Sequence, residues 1–279
     1  VSGGAVAAIL GSAFAHRPPE EIELEEVRIE TPWGAHPLFR VREGGGERAA
    51  WVAYRHGLPH RHLPHEIPYR AQAWALGEVG CEALLVTSSV GVLRSGIPLG
   101  KLLLVDDLVM LDNRLPDGST CTVFAPPAEL PSAHLVLHEG LLSRSLGEQL
   151  EGLAQEVKSG VASRVVFGYV AGPRGKTAAE NRVWSGLGVD VNSMTLAPEV
   201  VLANELGIPC AAVVTGHKYS LPPGETGRGE EAATNPELSG TEDVTASLEA
   251  SRGELERLVA AFLRRGRPVP FRNHLYRYA

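Results

Sequence analysis

The chain has 279 residues, a mass of 29.8 kDa, 44% hydrophobic residues and a formal charge of −7 at neutral pH. That length can bury a substantial core, as one large α/β domain or as two small ones. With a pI of about 5.8 and no basic run longer than Arg264-Arg265, an extended polyanion-binding surface is excluded. No nucleic-acid partner is expected, and any phosphate recognised must be small and held in a local pocket.

Cys81, Cys121 and Cys210 are widely spaced, two of them beside or within apolar runs, which suits buried thiols in a reducing compartment. The run Ala5–Leu10 lacks a cationic flank and is too short for a signal peptide or a membrane span, and no segment reaches about 18 apolar residues. A cytoplasmic protein with no membrane partner is the expectation.

Ala5–Leu10, stopped by Gly11-Ser12, reads as a buried strand feeding a tight turn. Short strands are predicted around Val27–Thr31 and Leu38–Val41, and Ala49–Tyr54 runs into the His-rich stretch Arg55–His65. Tyr69–Val79 has helical spacing and stops at Gly80, after which Cys81–Thr87 has the composition of a strand covered on both faces. The alternation continues with a strand at Leu102–Met110, a helix at Ser145–Lys158, a strand at Arg164–Val170, helices at Ala178–Leu187 and Pro198–Leu206, and a strand at Ile208–Thr215. The fold class this predicts is α/β, with a mixed central β-sheet flanked by helices. Residues 221–240, rich in proline, glycine and acidic residues, read as a mobile loop, and apolar spacing predicts a helix over Ser247–Arg265.

Three small-polar turns fall at the ends of predicted strands: Gly11-Ser12, Thr87-Ser88-Ser89 with Gly91, and Met194-Thr195. Ligands collect at the carboxyl ends of strands in open α/β sheets, where turn N–H groups and hydroxyls form anion nests. Arg55-His56, ending a further strand, adds a cation. The segment RHGLPHRHLPH carries four histidines and two arginines in eleven residues and admits three readings. His56, His60, His62 and His65 could ligate zinc, the stretch could be a solvated polar loop, or it could be an anion or substrate loop. The prolines disrupt regular helix spacing and the segment offers no carboxylate or thiolate, so the last is favoured and no metal is expected.

RHGLPHRHLPHEIPYRAQAWAL, VTSSVG, AGPR followed by AAENRVWSGLGVDV, and NSMTLAPEVVLANELGIPCA resemble, in order, the successive signatures of the trimeric purine nucleoside phosphorylase and methylthioadenosine phosphorylase family. The resemblance spans residues 9–215, about three quarters of the chain. It implies a single nucleoside phosphorylase-like domain over residues 1–279 and a homotrimer. It further implies that Ser12, Arg55, His56, Ser88, Ser89 and Thr195 bind phosphate, that Met194 lies against the pentose, and that His134 reaches the 5′ end of the substrate in a neighbouring subunit, with His138 the less favoured occupant of that role. No cofactor is implied beyond inorganic phosphate as co-substrate. These roles agree with what phosphorolysis requires: an oxyanion held on one face of the sugar while the glycosidic bond breaks through an oxocarbenium-like state, with catalysis coming from positioning and electrostatics. A histidine beside the anion, His56 here, can tune its protonation.

The chain departs from the family on the side of the base. Where adenine-cleaving members carry T-D-x-D and oxopurine-cleaving members an asparagine after the threonine, this sequence reads Thr215-Gly216-His217-Lys218. A protonated lysine cannot accept from an exocyclic amine, so His217 or Lys218 would instead donate to a carbonyl oxygen or ring nitrogen of the leaving group, unless Lys218 points to solvent. A base-stacking phenylalanine common after GPR is replaced by Gly175, leaving space. The expected function is phosphorolytic cleavage of the N-glycosidic bond of a purine-like or 5′-modified nucleoside, not a simple adenosine, to pentose 1-phosphate and free base. A nucleoside hydrolase, a family member recruited to another reaction in secondary metabolism, and a non-catalytic nucleoside-binding protein remain open.

Overall fold

The structure is a computed structural model that describes residues 4–14, 19–20, 22–42, 48–221 and 242–278. The first strand, β1 (Ala5–Leu10), shows how the sheet is built. All six of its residues are buried, with Ala5, Ala7 and Ile9 in one apolar layer and Val6, Ala8 and Leu10 in the other. Successive side chains of a strand alternate faces, so an unbroken apolar run specifies a strand covered on both sides.

Chain order continues with β2 (Leu24–Ile29), β3 (His36–Val41), β4 (Ala50–Tyr54), α1 (Tyr69–Glu78), β5 (Cys81–Val92), β6 (Leu102–Val109), β7 (Ala133–Val136), α2 (Arg144–Glu156) and β8 (Val161–Tyr169). Then come α3 (Ala178–Gly186), β9 (Val191–Ser193), α4 (Ala197–Glu205), β10 (Cys210–Tyr219), α5 (Glu242–Arg265) and β11 (His274–Arg277). Nine strands form one mixed sheet in the order β10-β6-β8-β9-β5-β1-β4-β3-β2, and β10 also pairs with β5. This second pairing closes β5, β10, β6, β8 and β9 into a ring, while β1 to β4 extend as an open wing. β7 and β11 make a separate antiparallel pair.

One apolar layer packs Leu76 of α1 and Val200 and Ala203 of α4 against the sheet, and the other packs Leu146 and Leu150 of α2 with Leu255, Leu258 and Phe262 of α5. α1 ends where Gly80 takes a positive φ of 69° and its N–H bonds the Gly77 carbonyl, a left-handed stop that turns the chain into β5.

The mixed α/β architecture is the one expected, and its differences from the sequence reading concern strand ends. β5 does not stop at Thr87 but runs on to Val92, so Ser88 and Ser89 are strand residues rather than turn residues. β10 likewise continues past Thr215 to Tyr219. Each polar extension is stabilised by the other, with Thr215 opposite Ser89 and Gly216 opposite Val90. Hydrogen-bonded pairing carries a strand beyond the end of its apolar run, which periodicity cannot register. β7, β9 and β11 are missed for the same reason, being short strands defined by their partners. The loop expected at 221–240 lies outside the described residues apart from Leu221, and the last helix starts earlier than the apolar spacing indicated.

Candidate active site

β1, β4 and β5 run parallel, so their carboxyl ends meet on one side of the sheet. A cavity of about 480 Å³, of a size suited to a small molecule, opens there. It is lined by Ser12 after β1, Arg55 and His56 after β4, Ser88 and Ser89 within β5, and Met194 and Thr195 after β9. Gly175, His217 and Lys218 line it as well.

One end is organised by a buried ion pair. Arg55 is 1% exposed and donates from Nε and Nη2 to the two carboxylate oxygens of Glu199 at 2.6 and 2.7 Å. Gln72 donates a further bond to the same carboxylate at 3.1 Å. The guanidinium fork is thereby fixed, with its remaining nitrogen turned to the first turn: a Cβ on Gly11 would stand 2.7 Å from Nη1. Glycine at position 11 is what allows this approach. The Gly11 N–H donates to Thr87 Oγ1 at 3.2 Å, and the Thr87 hydroxyl donates to the Ile9 carbonyl at 3.0 Å, which locks the turn to β5. Ser88 Oγ lies 3.4 Å from both Ser193 Oγ and Thr195 Oγ1, so three hydroxyls cluster beside the arginine.

His56 is neutral. Burial, then Arg55, push its pKa down to about 4. Its Nδ1 lies 2.8 Å from the His62 carbonyl oxygen, which can only accept, so Nδ1 carries the proton and Nε2 is the free acceptor. The His60 ring packs edge-on against it at 4.3 Å. Among the described residues no group of three or more His, Cys, Asp or Glu side chains is arranged to hold a metal ion.

Thr195 is held by an unusual backbone. Leu196 has φ 78° and ψ −55°, and the Ala197 N–H bonds the Thr195 carbonyl at 3.1 Å, a γ-turn of the rare positive-φ kind. For a buried leucine this conformation is strained, and such strain concentrates where structure must aim a functional group. The turn separates Met194-Thr195 from α4, whose first turn delivers Glu199 to Arg55.

The other end of the cavity lies where β10 leaves β5. The register shifts between Gly216 and Lys218, so His217 is a bulge residue. A bulge breaks the alternation of faces, and both His217 and Lys218 line the cavity. Lys176, which sequence reasoning passed over, lines it too. α3 is laced to this region: Asn181 donates to the Ser220 carbonyl at 2.7 Å, and Asn192 donates to Asn181 Oδ1 at 3.1 Å. Burial, then Lys218 and Lys176, lower the pKa of His217, so it too is neutral near pH 7. Gly175 has open space where a side chain would stand. Asn192 is fully buried with Oδ1 unpartnered at the cavity wall, an acceptor left for a ligand.

The structure thus brings together most of the residues singled out from sequence, with three exceptions. Thr215 and Gly216 do not line the cavity. A Cβ on Gly216 would stand 2.6 Å from Val92 Cγ2, so that glycine accommodates packing between β10 and β5 and does not enlarge the pocket. His134 lies exposed on β7, opposite Tyr276 of β11, and does not line it either. Glu199 was missed, although it is the one charged residue in the apolar run LAPEVVLA. A carboxylate set within a buried apolar run needs a buried cation, and that signal was legible.

A strand-end cavity with an arginine, a cluster of hydroxyls and a neutral histidine offers hydrogen-bonding groups suited to a small anion, and comparison with known proteins supplies the family. The Phosphorylase superfamily pattern matches residues 5–264, and the chain belongs to that superfamily. Within it the chain is a member of the purine nucleoside and methylthioadenosine phosphorylase family, a family of pentosyltransferases. It is 32% identical over 222 residues to a probable 6-oxopurine nucleoside phosphorylase of Thermococcus kodakarensis, covering 77% of this chain and 80% of the relative. It is 32% identical over 216 residues to an S-methyl-5′-thioadenosine phosphorylase of Hyperthermus butylicus, covering 77% and 76%. A solved methylthioadenosine phosphorylase from Schistosoma mansoni, in complex with tubercidin, shares the fold with a TM-score of 0.75 at 21% identity, over 93% of this chain and 90% of the other.

Two consequences can be measured. Glu199→Ala leaves the Arg55 charge buried and unpaired and should cost about 3–5 kcal/mol in chemical denaturation. His36 is also buried and pushed down to about 4, by burial and then by His62. Both histidines bind protons more readily unfolded, at the ordinary value of 6.5, than folded. The stability these two histidines contribute is therefore fully present above pH 6.5 and lost as pH falls toward 4, and thermal unfolding followed across that window should show Tm dropping, less so in a His36→Gln variant.

Proposed function

We propose that this chain cleaves the N-glycosidic bond of a nucleoside with inorganic phosphate. The observation that carries the reading is the two-ended cavity, in which Arg55, Ser88, Ser193, Thr195 and His56 surround one end while His217 and Lys218 stand at the other. Phosphate held at the first end forms the new bond from its oxygen to the anomeric carbon of the pentose. The bond to the base nitrogen breaks, and its electron pair leaves with the base. The products are a pentose 1-phosphate and the free base.

The sugar passes through an oxocarbenium-like state, and the phosphate anion both attacks it and stabilises its charge. Neutral His56, with Nε2 as an acceptor, suits the hydroxyl of a hydrogen phosphate. Lys218 is the donor available as negative charge builds on the base, and among the described residues no aspartate lines the cavity to receive an exocyclic amine. Such a site favours an oxo-substituted purine-like base or a 5′-modified nucleoside over adenosine. The relatives named for 6-oxopurine nucleosides support that choice, and those named for methylthioadenosine do not exclude a 5′ substituent.

A panel of purine, pyrimidine and 5′-modified nucleosides, incubated with and without phosphate, tests the reading through pentose 1-phosphate formation. Phosphate-dependent product is expected, with adenosine and methylthioadenosine well below the best compound; cleavage without phosphate would make the enzyme a hydrolase. Ser88→Ala, which removes a donor without unpairing Glu199, should raise KM for phosphate about tenfold, and Arg55→Ala should abolish phosphate use.

We also propose a homotrimer in which His134 completes a neighbouring subunit's site. His134 lies on the exposed β7–β11 pair, near the solvent-facing Leu137, Tyr276 and Tyr278, a surface suited to burial against a second copy. Sedimentation equilibrium should give three times the 29.8 kDa chain mass, and a monomer would remove the basis for His134 acting in a neighbour.

A further inference from the structure

Among the described residues, the leaving-group end of the cavity carries two lysines and no carboxylate. Lys176 and Lys218 both line it, and among the described residues no aspartate or glutamate does. The carboxylate that acts on Lys176, Glu180, is already engaged. It receives Arg174 through both guanidinium ends at 2.6 and 2.9 Å and caps α3 through the Thr177 N–H at 2.8 Å. Neither lysine is ion-paired among the described residues.

The two ammonium groups are held near one another by the fold. Lys176 immediately precedes Thr177, the residue that caps α3 in a reciprocal capping box with Glu180. Lys218 follows the β10 bulge, and the Asn181 bond to the Ser220 carbonyl ties α3 to that strand end. Burial, then Lys218, bring the Lys176 pKa down to about 8, the response of a cation that lacks water and faces its like. A negative charge between them would relieve both costs. At the opposite end the cation is already matched, because Glu199 occupies two of the three nitrogens of Arg55.

We infer that the base of the nucleoside taken by this enzyme is anionic, a carboxylated heterocycle or an acidic oxo-substituted ring, with Lys176 and Lys218 as its specificity-determining contacts. The inference rests on the phosphorolytic reading for the orientation of the substrate. Two ammonium groups supply six N–H donors and no acceptor, a set that matches carboxylate or enolate oxygens and rejects an amino-substituted ring edge. When the glycosidic bond breaks, the electron pair adds to a base that already carries a charge, which is unfavourable unless cations face it, and these two do. Gly175, with open space at its Cβ position, leaves room for the extra substituent.

Matched pairs differing in charge test this: aminoimidazole carboxamide riboside against aminoimidazole carboxylate riboside, and inosine against xanthosine, whose base ionises near neutral pH. With phosphate present, the anionic member of each pair should show kcat/KM at least about tenfold higher, the scale of a charge-assisted hydrogen bond. Lys176→Ala and Lys218→Ala should each reduce that preference about tenfold. Higher kcat/KM for the neutral members, or a preference untouched by both substitutions, overturns the assignment. So does a rise in KM for phosphate with the preference intact, which would put the lysines at the phosphate end. If no pair yields pentose 1-phosphate, calorimetry with xanthine and hypoxanthine separates the two questions. Tighter xanthine binding that Lys218→Ala removes upholds the anionic base site while phosphorolysis fails, and equal binding of the two bases overturns the anionic site.

Discussion

A guanidinium and a carboxylate withdrawn from water stand at the centre of this molecule, and much else is arranged to permit them. Arg55 comes from the end of β4 and Glu199 from the first turn of α4, elements separated by 144 residues and brought together by the parallel strands between. Either charge alone in that position would be prohibitive, so the two elements are tied to one another. Gly11 lacks a side chain because Nη1 needs its space, Gln72 satisfies the carboxylate further, and the γ-turn at Leu196 sets the start of α4 against Thr195. Fixing the arginine this way orients it before any ligand arrives, which is how a site avoids reorganisation during reaction.

The pair also explains why the cavity is electrostatically lopsided. Glu199 balances the arginine, and the cavity beside it is lined by hydroxyls and by His56, held neutral by burial and by Arg55 itself. Positive charge accumulates instead at the far end, where β10 bulges away from β5 and α3 begins. There Lys176 and Lys218 line the cavity, and Gly175 leaves open space where a side chain would stand.

The two regions of the cavity are also constructed differently. The region around Arg55 is made of buried strand termini and a fixed ion pair, where any change disturbs the core. The region around Lys176 and Lys218 is made of a strand extension, a bulge and a helix cap, joined by polar contacts such as Asn181 to Ser220 and Asn192 to Asn181. Side chains in such elements face the cavity rather than the core, so they can change without cost to packing.

Apolar runs such as Ala5–Leu10 and helical spacing such as that of Ser247–Arg265 determined the α/β class and most of its elements, because burial on one or both faces leaves a periodic trace in sequence. The order of family signatures likewise singles out Ser12, Arg55, Ser88 and Thr195, which the fold brings to one cavity. What sequence left undecided were features that exist only as relations between distant segments. Ser88 and Ser89 became strand residues because β10 pairs with them, and Gly216 turned out to serve packing against Val92 rather than the pocket. Glu199 acquired its meaning from Arg55, and Lys176 from its proximity to Lys218. Local pattern records what each residue must be buried against in kind, but hydrogen-bond register and the pairing of charges depend on which surfaces the closed sheet brings face to face.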